Sequence, residues 1–361
     1  MKALIAGAGI GGLALAAALR RAGVEVEVYE RAARLRPAGT GLSVMSNGLA
    51  ALRSCGVRLD AGRPIERFEL LTHDGRPLRT VPLGVTTGRL GVPSVCLSRA
   101  HLQAVLLAEA GPVELGAAVE GFEPDGTGVR VRVTGGEARG DVLIGADGFH
   151  SVVRRQLAGP ETPRDARYRC LLATTSFRHE RVTPGYVGHY WGRGRRFGLV
   201  DLGDRVYWWA TGNDGVGDGF AGWAEEVVAT VAATPADDVV EVRAADRPFL
   251  RRWGAGPVTL VGDAAHPMLT SLAQGAGMAI EDAAVLAHCL TTAGDPRQAL
   301  RDYENRRRAR TRAMVRTSRL LSRVEQADRA AWVRDAVFRL LPTRVLVRQN
   351  DSALTWTGSA S

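Results

Sequence analysis

Three glycines and one carboxylate near the N-terminus have the spacing of a dinucleotide-binding turn. Gly7, Gly9 and Gly12 form the pattern GxGxxG, and Glu30 follows them by about 20 residues. The first glycine permits a tight turn, the second lets a pyrophosphate approach the backbone, and the third permits close packing of a helix on a strand. A carboxylate at Glu30 accepts hydrogen bonds from ribose hydroxyls and repels a 2′-phosphate. The pattern therefore predicts FAD or NAD rather than NADP.

A second glycine-rich segment, Gly262–Asp282, lies far downstream and favours FAD. Asp263 follows the predicted strand Val258–Val261, where a carboxylate can accept hydrogen bonds from a polyol such as the ribityl chain of a flavin. The small residues of Gln274–Gly277 permit a flavin ring to lie close to the backbone, and free N–H groups of the following helix can stabilise negative charge on it. His266 is predicted to be a packing residue rather than a catalytic base.

The segment Gly145–Arg154 reads GADGFHSVVR at the predicted end of a strand. With it the chain resembles the flavin-dependent aromatic hydroxylases, the p-hydroxybenzoate hydroxylase-like family of single-component FAD monooxygenases, whose motif GADGxxSxxR it matches at every fixed position. Gly262–Asp282 is similar to the family's second FAD motif, and the spacing is closest to the branch of urate hydroxylases and zeaxanthin epoxidase-like enzymes. Thr270 and Ala273 stand where the family usually has proline and glycine.

The resemblance implies one FAD site assembled from distant parts of the chain. It places Arg99 at the start of a helix that contacts FAD and Val119 against the adenine. It places Ser43 where the chain passes the flavin, and it implies that Asp147 contacts both FAD and the nicotinamide cofactor. The predicted FAD-binding residues are Gly7, Gly9, Gly11, Gly12, Glu30, Arg31, Ser43, Arg99, Val119, Asp147, Asp263, Gln274, Gly275, Ala276 and Gly277.

The resemblance also implies a reaction in which the cofactor does the difficult chemistry. NAD(P)H reduces tightly bound FAD, O₂ forms a flavin C4a-hydroperoxide, and its distal oxygen hydroxylates or epoxidises an electron-rich aromatic or polycyclic small molecule, as in secondary metabolism. A flavin oxidase or reductase on the same scaffold is the alternative. A non-enzymatic flavin-binding or nucleic-acid-binding protein is a third hypothesis.

The substrate pocket is predicted between the flavin and a β-sheet rich in aromatic residues. Because side chains alternate along a strand, Tyr207 and Trp209 share one face and Trp208 faces the other. Arg196 is interpreted either as a binder of an anionic or phenolate substrate or as a solvated arginine at a strand end. Urate hydroxylases have an asparagine near Thr175, and its absence disfavours urate. The candidate wall residues are Thr175, Arg196, Tyr207 and Trp209.

These sites require an α/β fold. The opening strand Lys2–Ala6, helix Leu13–Ala22 and strand Val24–Tyr29 predict a Rossmann-like FAD-binding domain with a GR2-type βαβ sheet. An inserted, mainly antiparallel β-sheet substrate domain and a C-terminal helical segment complete the prediction. The assigned residues are 1–70, 97–160 and 250–295 for the FAD-binding domain, 71–96 and 161–249 for the substrate domain, 296–351 for the helices and 352–361 for a disordered tail.

An apolar stripe at helical spacing lies near the C-terminus. It is interpreted as core packing, with a dimer face as the alternative, so that the protein is expected to be a monomer or a homodimer. The stripe comprises Trp332, Val333, Ala336, Val337, Leu340 and Leu341.

The composition excludes several function classes. The net charge is +9, but the arginines are dispersed and no nucleic-acid-binding module is evident, which favours attraction for phosphate-bearing cofactors over nucleic acid. The four cysteines are widely spaced and form no CxxC, so neither a metal site nor a redox pair is expected, and a cytoplasmic location is predicted. Glycines in fingerprint spacing within Ala3–Leu19 argue against a signal peptide or a membrane span.

Overall fold

The computed structural model describes residues 1–35, 40–212 and 219–358. In chain order the strands are β1 Lys2–Ala6, β2 Glu25–Glu30, β3 Gly41–Val44, β4 Arg63–Pro64, β5 Arg67–Thr72, β6 Pro77–Thr80, β7 Val95–Ser98, β8 Glu114–Leu115, β9 Val119–Pro124, β10 Val129–Val133, β11 Gly136–Gly140, β12 Val142–Gly145, β13 Arg164–Thr175, β14 Tyr186–Trp191, β15 Arg195–Asp201, β16 Val206–Gly212, β17 Val240–Asp246 and β18 Val258–Leu260. The helices are α1 Ile10–Arg21, α2 Ser46–Ser54, α3 Leu83–Leu90, α4 Arg99–Ala110, α5 Val152–Ala158, α6 Glu225–Ala232, α7 Gly275–Thr292, α8 Pro296–Glu325, α9 Ala331–Leu340 and α10 Thr343–Leu354.

A five-stranded parallel sheet, in the order β18-β12-β1-β2-β8, contains the predicted nucleotide turn. α1 begins at Ile10 rather than Leu13, because the glycines of the fingerprint already form its first turn. Gly11 is buried between α1 and α7, where an added Cβ would lie 3.2 Å from the Cβ of Ala279. Since the strands are parallel, the carboxyl ends of β1, β12 and β18 meet at one edge, beside the N-termini of α1 and α7.

A seven-stranded, mainly antiparallel sheet has the order β17-β13-β16-β15-β14-β5-β6. One of its faces is covered by α6, and there the ring of Trp208 stacks on that of Phe197 with centroids 5.4 Å apart. The predicted α/β fold class, a Rossmann-like sheet beside a mainly antiparallel one, is confirmed.

Two boundaries of the predicted domain division differ from the strand pairing. β5 begins at Arg67 and pairs with β14, so residues 67–70 lie in the larger sheet although they were assigned to the FAD-binding domain. β7 pairs with β3, which places Cys96 opposite Ser43 rather than in the substrate domain. Long-range pairing decides both boundaries, and local sequence does not reveal it. The division into domains itself stays a prediction.

The C-terminal stripe is not core packing. α9 contacts the rest of the protein through Phe338, whose ring meets that of Trp191 at 4.7 Å, and the stripe lies largely on the other side of the helix. Its members with exposed fractions of 41% to 79% are Trp332, Val333, Val337 and Leu340.

The chain end is more ordered than the sequence predicted. α10 continues to Leu354, which is 3% exposed, and Trp356 packs against the main core, so a disordered tail does not begin at Ser352. The last three predicted tail residues, 359–361, lie outside the described residues. Within the described ranges, no helix has both the length and the apolar character needed to span a bilayer.

Candidate functional site

The turn between β1 and α1 has the backbone geometry of an anion site. Gly7 has a φ of +105°, and a Cβ there would lie 2.5 Å from the carbonyl oxygen of Ala146. A Cβ on Gly12 would lie 2.1 Å from the oxygen of Gly7, so only glycine permits this packing. Gly9 precedes α1 without a side-chain cap and faces open space. The N–H groups of the first helical turn are therefore open to a phosphate.

A cavity of about 610 Å³ opens beside this turn, and Glu30 forms one of its walls. Both carboxylate oxygens of Glu30 are held in place: Oε2 accepts from the backbone N–H of Ala8 and Oε1 from that of Ala32, each at 2.9 Å. The carboxylate therefore has a fixed orientation, with remaining lone pairs for ribose hydroxyls. The cavity is lined by Ala8, Gly9, Glu30, Ala32, Ala33, Arg34, Leu35 and Gln103.

Two polar residues that line this cavity were not among the predicted FAD-binding residues, and two of the predicted ones near it in sequence do not line it. Arg34 and Gln103 line the cavity, whereas Arg31 is exposed and Val119 is a buried residue of β9. Gln103 lies four residues after Arg99 and so shares its face of α4, a spacing from which it was predictable.

The middle motif connects β12 to the downstream glycine-rich segment. Asp147 Oδ2 accepts from the N–H of Val152 at 2.7 Å, whereas its buried Oδ1 has no partner in the described part of the chain. Burial raises the pKa of Asp147 above its ordinary value. Arg154 is 2% exposed and donates to the carbonyl oxygens of Ala264, at 3.1 Å, and Ala265, at 2.9 Å. The two motifs therefore form one structural unit.

Asp263 and Arg99 belong to different elements but lie close enough for their charges to interact. Asp263 is exposed to water, yet the surrounding protein raises the pKa of its carboxyl, an effect that nearby His266 and Arg99 partly oppose. Neither Asp263 nor Arg99 has a side-chain hydrogen bond or ion pair with a described residue. Such a pair suits a ligand that bears hydroxyl and phosphate groups.

The first turn of α7 combines open backbone with fixed side chains. The helix has no side-chain cap, and Gly275 and Ala276 are partly exposed, so their N–H groups are open to a ligand. The buried side chain of Gln274 accepts from Asn47 Nδ2 at 2.9 Å. Gly277 is buried, and a Cβ there would lie 2.9 Å from Gln274 Oε1. Gln274 and Gly277 therefore position the turn, and Gly275 and Ala276 form its open side.

The two departures from the family pattern lie just before this turn. Ala273 has φ 51° and ψ 30°, a left-handed conformation that costs a residue with a Cβ about 1–2 kcal/mol and glycine almost nothing. Thr270 is exposed and begins a short 3₁₀ helix, Thr270–Leu272. The loop therefore keeps the backbone shape that glycine would favour, at the cost of strain.

A buried charge network holds α7 against α8. Arg307 Nε donates to Asp282 at 2.7 Å and its guanidinium also pairs with Glu281, which Arg310 contacts at 2.8 Å. Burial alone would raise the pKa of Asp282, but His266 and Arg307 lower it below its ordinary value. His266 is 1% exposed and its Nε2 is hydrogen-bonded to Asp282, so the structure places it as a buried residue packed against α7.

The face of the seven-stranded sheet opposite α6 points toward these motifs. Residues that pair directly on neighbouring strands point to the same face of the sheet. The strand pairing therefore divides the residues of this face into rows that run across the strands. One row contains Thr174 and Tyr207 and packs against β3, where a Cβ on Gly41 would lie 2.5 Å from the Tyr207 ring. Another row contains Cys170, which clusters with Leu269 of the loop before α7.

A central row lies between these two rows and is partly open. Trp209 and His189 meet edge to face with ring centroids 4.9 Å apart, and Phe68 lies 4.7 Å from His189 on its other side. The ring nitrogens of His189 have no hydrogen bond to any described residue. Surrounding protein lowers the pKa of His189 to about 3, and the charge of Arg196 adds to the effect. The row consists of Leu172, Trp209, Gly198, His189 and Leu70.

Thr175 does not face this space. It pairs with Val206 and shares the face of Trp208, where it is 3% exposed and accepts from the N–H of Phe177 at 3.1 Å. Strand alternation places Thr174 on the face opposite α6 instead, in the row of Tyr207.

Arg196 is neither solvated nor available for an anionic substrate. It is 2% exposed and forms an ion pair with Glu325 of α8. Its guanidinium lies 5.1 Å from the centroid of the Trp209 ring. The charge of Arg196 is therefore balanced inside the protein, and its guanidinium packs against the Trp209 ring. Across the described residues, no group of three or more His, Cys, Asp or Glu side chains could hold a metal.

Comparison with known proteins agrees with this arrangement. The FAD binding domain family matches residues 1–210 and 218–318. The chain is 36% identical over 360 residues to aurachin C monooxygenase/isomerase of Stigmatella aurantiaca, covering 94% of each protein. It is 37% identical over 343 residues to 3-amino-4-hydroxybenzoate 2-monooxygenase of Streptomyces cremeus, covering 88% of this chain and 86% of the relative.

A solved structure extends this agreement to the whole fold. HpxO of Klebsiella pneumoniae, complexed with FAD and uric acid, matches with a TM-score of 0.90 at 28% identity, over 98% of this chain and 96% of HpxO. The chain therefore belongs to the FAD binding domain family, as a p-hydroxybenzoate hydroxylase-like FAD monooxygenase.

Proposed function

We propose that the protein is a single-component, group A type enzyme that uses NAD(P)H and O₂ to oxygenate a neutral, electron-rich aromatic molecule. The partly open central row carries this proposal. Trp209 and His189 offer ring surfaces there, and the charge of Arg196 is already balanced by Glu325. A carboxylate substrate would therefore find no unpaired cation among the described residues of that row.

The residues at the sheet edge fit FAD, and we propose how they hold it. The turn Gly7–Gly12 would take the pyrophosphate, Glu30 would bind ribose hydroxyls, and Arg99 would balance phosphate charge. Asp263 would accept hydrogen bonds from the ribityl chain, and the unpaired buried Oδ1 of Asp147 marks a further acceptor. The flavin would lie against Ser43, Gly275 and Ala276. When bound, FAD supplies hydride acceptance and the activation of O₂.

The protein's own residues would bind the substrate and exclude water. The neutral imidazole of His189 accepts a hydrogen bond from a ring hydroxyl or ring N–H, which increases the electron density of the aromatic ring. Trp209 provides a stacking surface for that ring. The packed outer rows, at Tyr207 and Cys170, close two sides of the space against solvent.

The test uses protein reconstituted with FAD. Oxidation of NADH and NADPH, O₂ uptake and peroxide are measured with a 2-alkyl-4-hydroxyquinoline and with 3-amino-4-hydroxybenzoate. The neutral probe should stimulate NAD(P)H oxidation with equal O₂ uptake and little peroxide. Peroxide as the sole oxygen product would support the oxidase alternative, and a greater stimulation by the carboxylate probe would contradict the neutral-substrate proposal.

We also propose a cytoplasmic location and a small-molecule partner. The four cysteines are buried and free, as is usual for proteins of a reducing compartment. Whether the protein is a monomer or a homodimer stays a prediction.

A further inference from the structure

The solvent-facing side of α9 carries large apolar residues, whereas the solvent-facing side of an ordinary surface helix is polar. Trp332 is 75% exposed and Leu340 79%, whereas the inward residue Arg334 is 6% exposed. Arg334 donates to the carbonyl oxygens of Gly192 and Glu325, each at 3.1 Å, and forms an ion pair with Asp335 at 2.8 Å. An amphipathic helix normally packs its apolar side against the core. Here Phe338 packs inward against Trp191, but most of the large apolar side chains of α9 face away from the core.

The exposed apolar residues form one continuous surface. At 3.6 residues per turn they cover roughly 140° of the helix circumference. Val337 is 53% exposed and Val333 41%, so these two extend the surface between the larger side chains. We call this set the α9 surface: Trp332, Val333, Val337 and Leu340.

The chain segments that flank the α9 surface in sequence, at the end of α8 and at the start of α10, are rich in arginine. The nearby acidic side chains are already paired: Asp328 with Arg193 at 3.4 Å, and Asp335 with Arg334 at 2.8 Å. Several exposed arginines, by contrast, have no ion pair with the described part of the chain. They are Arg323, Arg329, Arg339, Arg344 and Arg348.

We propose that the α9 surface docks the protein on an anionic membrane surface. Trp332 and Leu340 would enter the boundary between headgroups and acyl chains, and the unpaired arginines would contact lipid phosphates. Charge complementarity favours this occupant over a second copy of the chain. In a symmetric dimer the same surface meets itself, so the arginines of both copies would be brought together. The proposal concerns attachment only and does not depend on the reaction proposed above.

The test is sedimentation of the FAD-loaded protein with vesicles. Vesicles of phosphatidylcholine and phosphatidylglycerol should bind it at least about tenfold more strongly than phosphatidylcholine alone, and high salt should weaken the binding. Replacing both Trp332→Ser and Leu340→Ser should weaken the binding about tenfold or more, because apolar area no longer enters the lipid. Arg344→Gln should weaken it about fivefold.

A matched control uses exposed valines on β17. Val240 is 48% exposed and Val242 42%, so Val240→Ser with Val242→Ser removes apolar surface elsewhere and should leave vesicle binding unchanged. Equal binding of the Trp332/Leu340 variant and the wild-type protein would overturn the proposal. Absence of vesicle binding by the wild-type protein would also overturn it, and a dimer that the Trp332/Leu340 variant lost would then identify a second copy of the chain as the occupant.

Discussion

The nucleotide side and the substrate side of the site are built by different means. On the nucleotide side, backbone atoms set the shape, and an added Cβ at Gly12 would collide with Gly7. On the substrate side, the rings of Trp209 and His189 set the shape, so removing atoms enlarges the space. Substitutions that add atoms should therefore abolish cofactor binding on one side. Truncations on the other side should change substrate use while FAD is retained.

The largest effect on cofactor binding is expected from Gly12→Val. Its Cβ would lie 2.1 Å from a carbonyl oxygen, so the variant should lose FAD and about 3 kcal/mol of unfolding free energy. Flavin absorbance per protein after gel filtration and urea denaturation measure the two losses. Gly9→Ala is the control, since open space surrounds Gly9: it should keep wild-type stability yet bind FAD about tenfold more weakly. Full FAD content in Gly12→Val would show that this turn is not the site.

Two adjacent tryptophans test the substrate side. Trp208 is 1% exposed beneath α6, so Trp208→Ala should lower the free energy of unfolding by about 3–5 kcal/mol. Trp209→Ala should cost about 1–2 kcal/mol, because its ring is partly exposed, but should abolish substrate-stimulated NAD(P)H oxidation. Urea denaturation and the NAD(P)H assay separate the outcomes. Equal stability losses would show that the two faces of β16 do not differ as described.

Asp263→Asn should weaken FAD binding and raise the stability of the apo protein at pH 7. FAD binding should weaken about tenfold or more, measured by flavin fluorescence titration. The folded protein raises the pKa of Asp263 and so disfavours the ionised carboxylate. The free energy of unfolding of the wild-type apo protein should therefore fall as the pH rises from the ordinary pKa of aspartate through the raised pKa of the folded state. The apo variant should therefore be more stable than the wild-type apo protein at pH 7, and the difference should vanish below the ordinary pKa of aspartate.

The control for this change is Asp60→Asn. The Asp60 side chain is 80% exposed, so its replacement should alter neither FAD affinity nor the pH dependence of stability. Unchanged FAD affinity in Asp263→Asn would remove Asp263 from the cofactor site.

His189→Phe should affect substrate use alone. Loss of one hydrogen bond should lower kcat/KM for the hydroxyquinoline probe about tenfold, with FAD affinity unchanged. His189→Gln, which keeps a polar group, should lose less. Since the pKa of His189 is about 3, the effect of His189→Phe should be the same from pH 6 to pH 9. A loss that grew as the pH fell would contradict a neutral imidazole.

The smallest effect is expected from Ala273→Gly. Ala273 has a φ of 51°, so glycine should raise the free energy of unfolding by about 1 kcal/mol, with FAD content unchanged. Thermal and urea denaturation measure the gain. A loss of stability would show that the loop is not strained at this position.

The nucleotide side was predictable because its signals are local. The strand before Gly7, the glycine spacing and the position of Glu30 all lie within one strand–helix–strand unit. α4 also begins at Arg99 as predicted, because Ser98 caps it by accepting from the N–H of His101. These features depend on backbone chemistry that neighbouring residues determine.

The substrate side was less predictable because distant pairing builds it. The register of β13 on β16 decides that Thr174, not Thr175, lies on the face opposite α6. The partner of Arg196 is Glu325, 129 residues further along the chain, and no local pattern indicates it. His189 was missed for the same reason, since its position beside Trp209 depends on the order of β14, β15 and β16.

The most direct test of the account is the fate of labelled O₂ in the FAD-loaded enzyme. With NAD(P)H and a 2-alkyl-4-hydroxyquinoline, mass spectrometry of the product should show one labelled oxygen atom for each NAD(P)H consumed, and Trp209→Ala should lose this product while retaining FAD. Label recovered only in peroxide, or equal product formation by the wild-type enzyme and Trp209→Ala, would contradict the account.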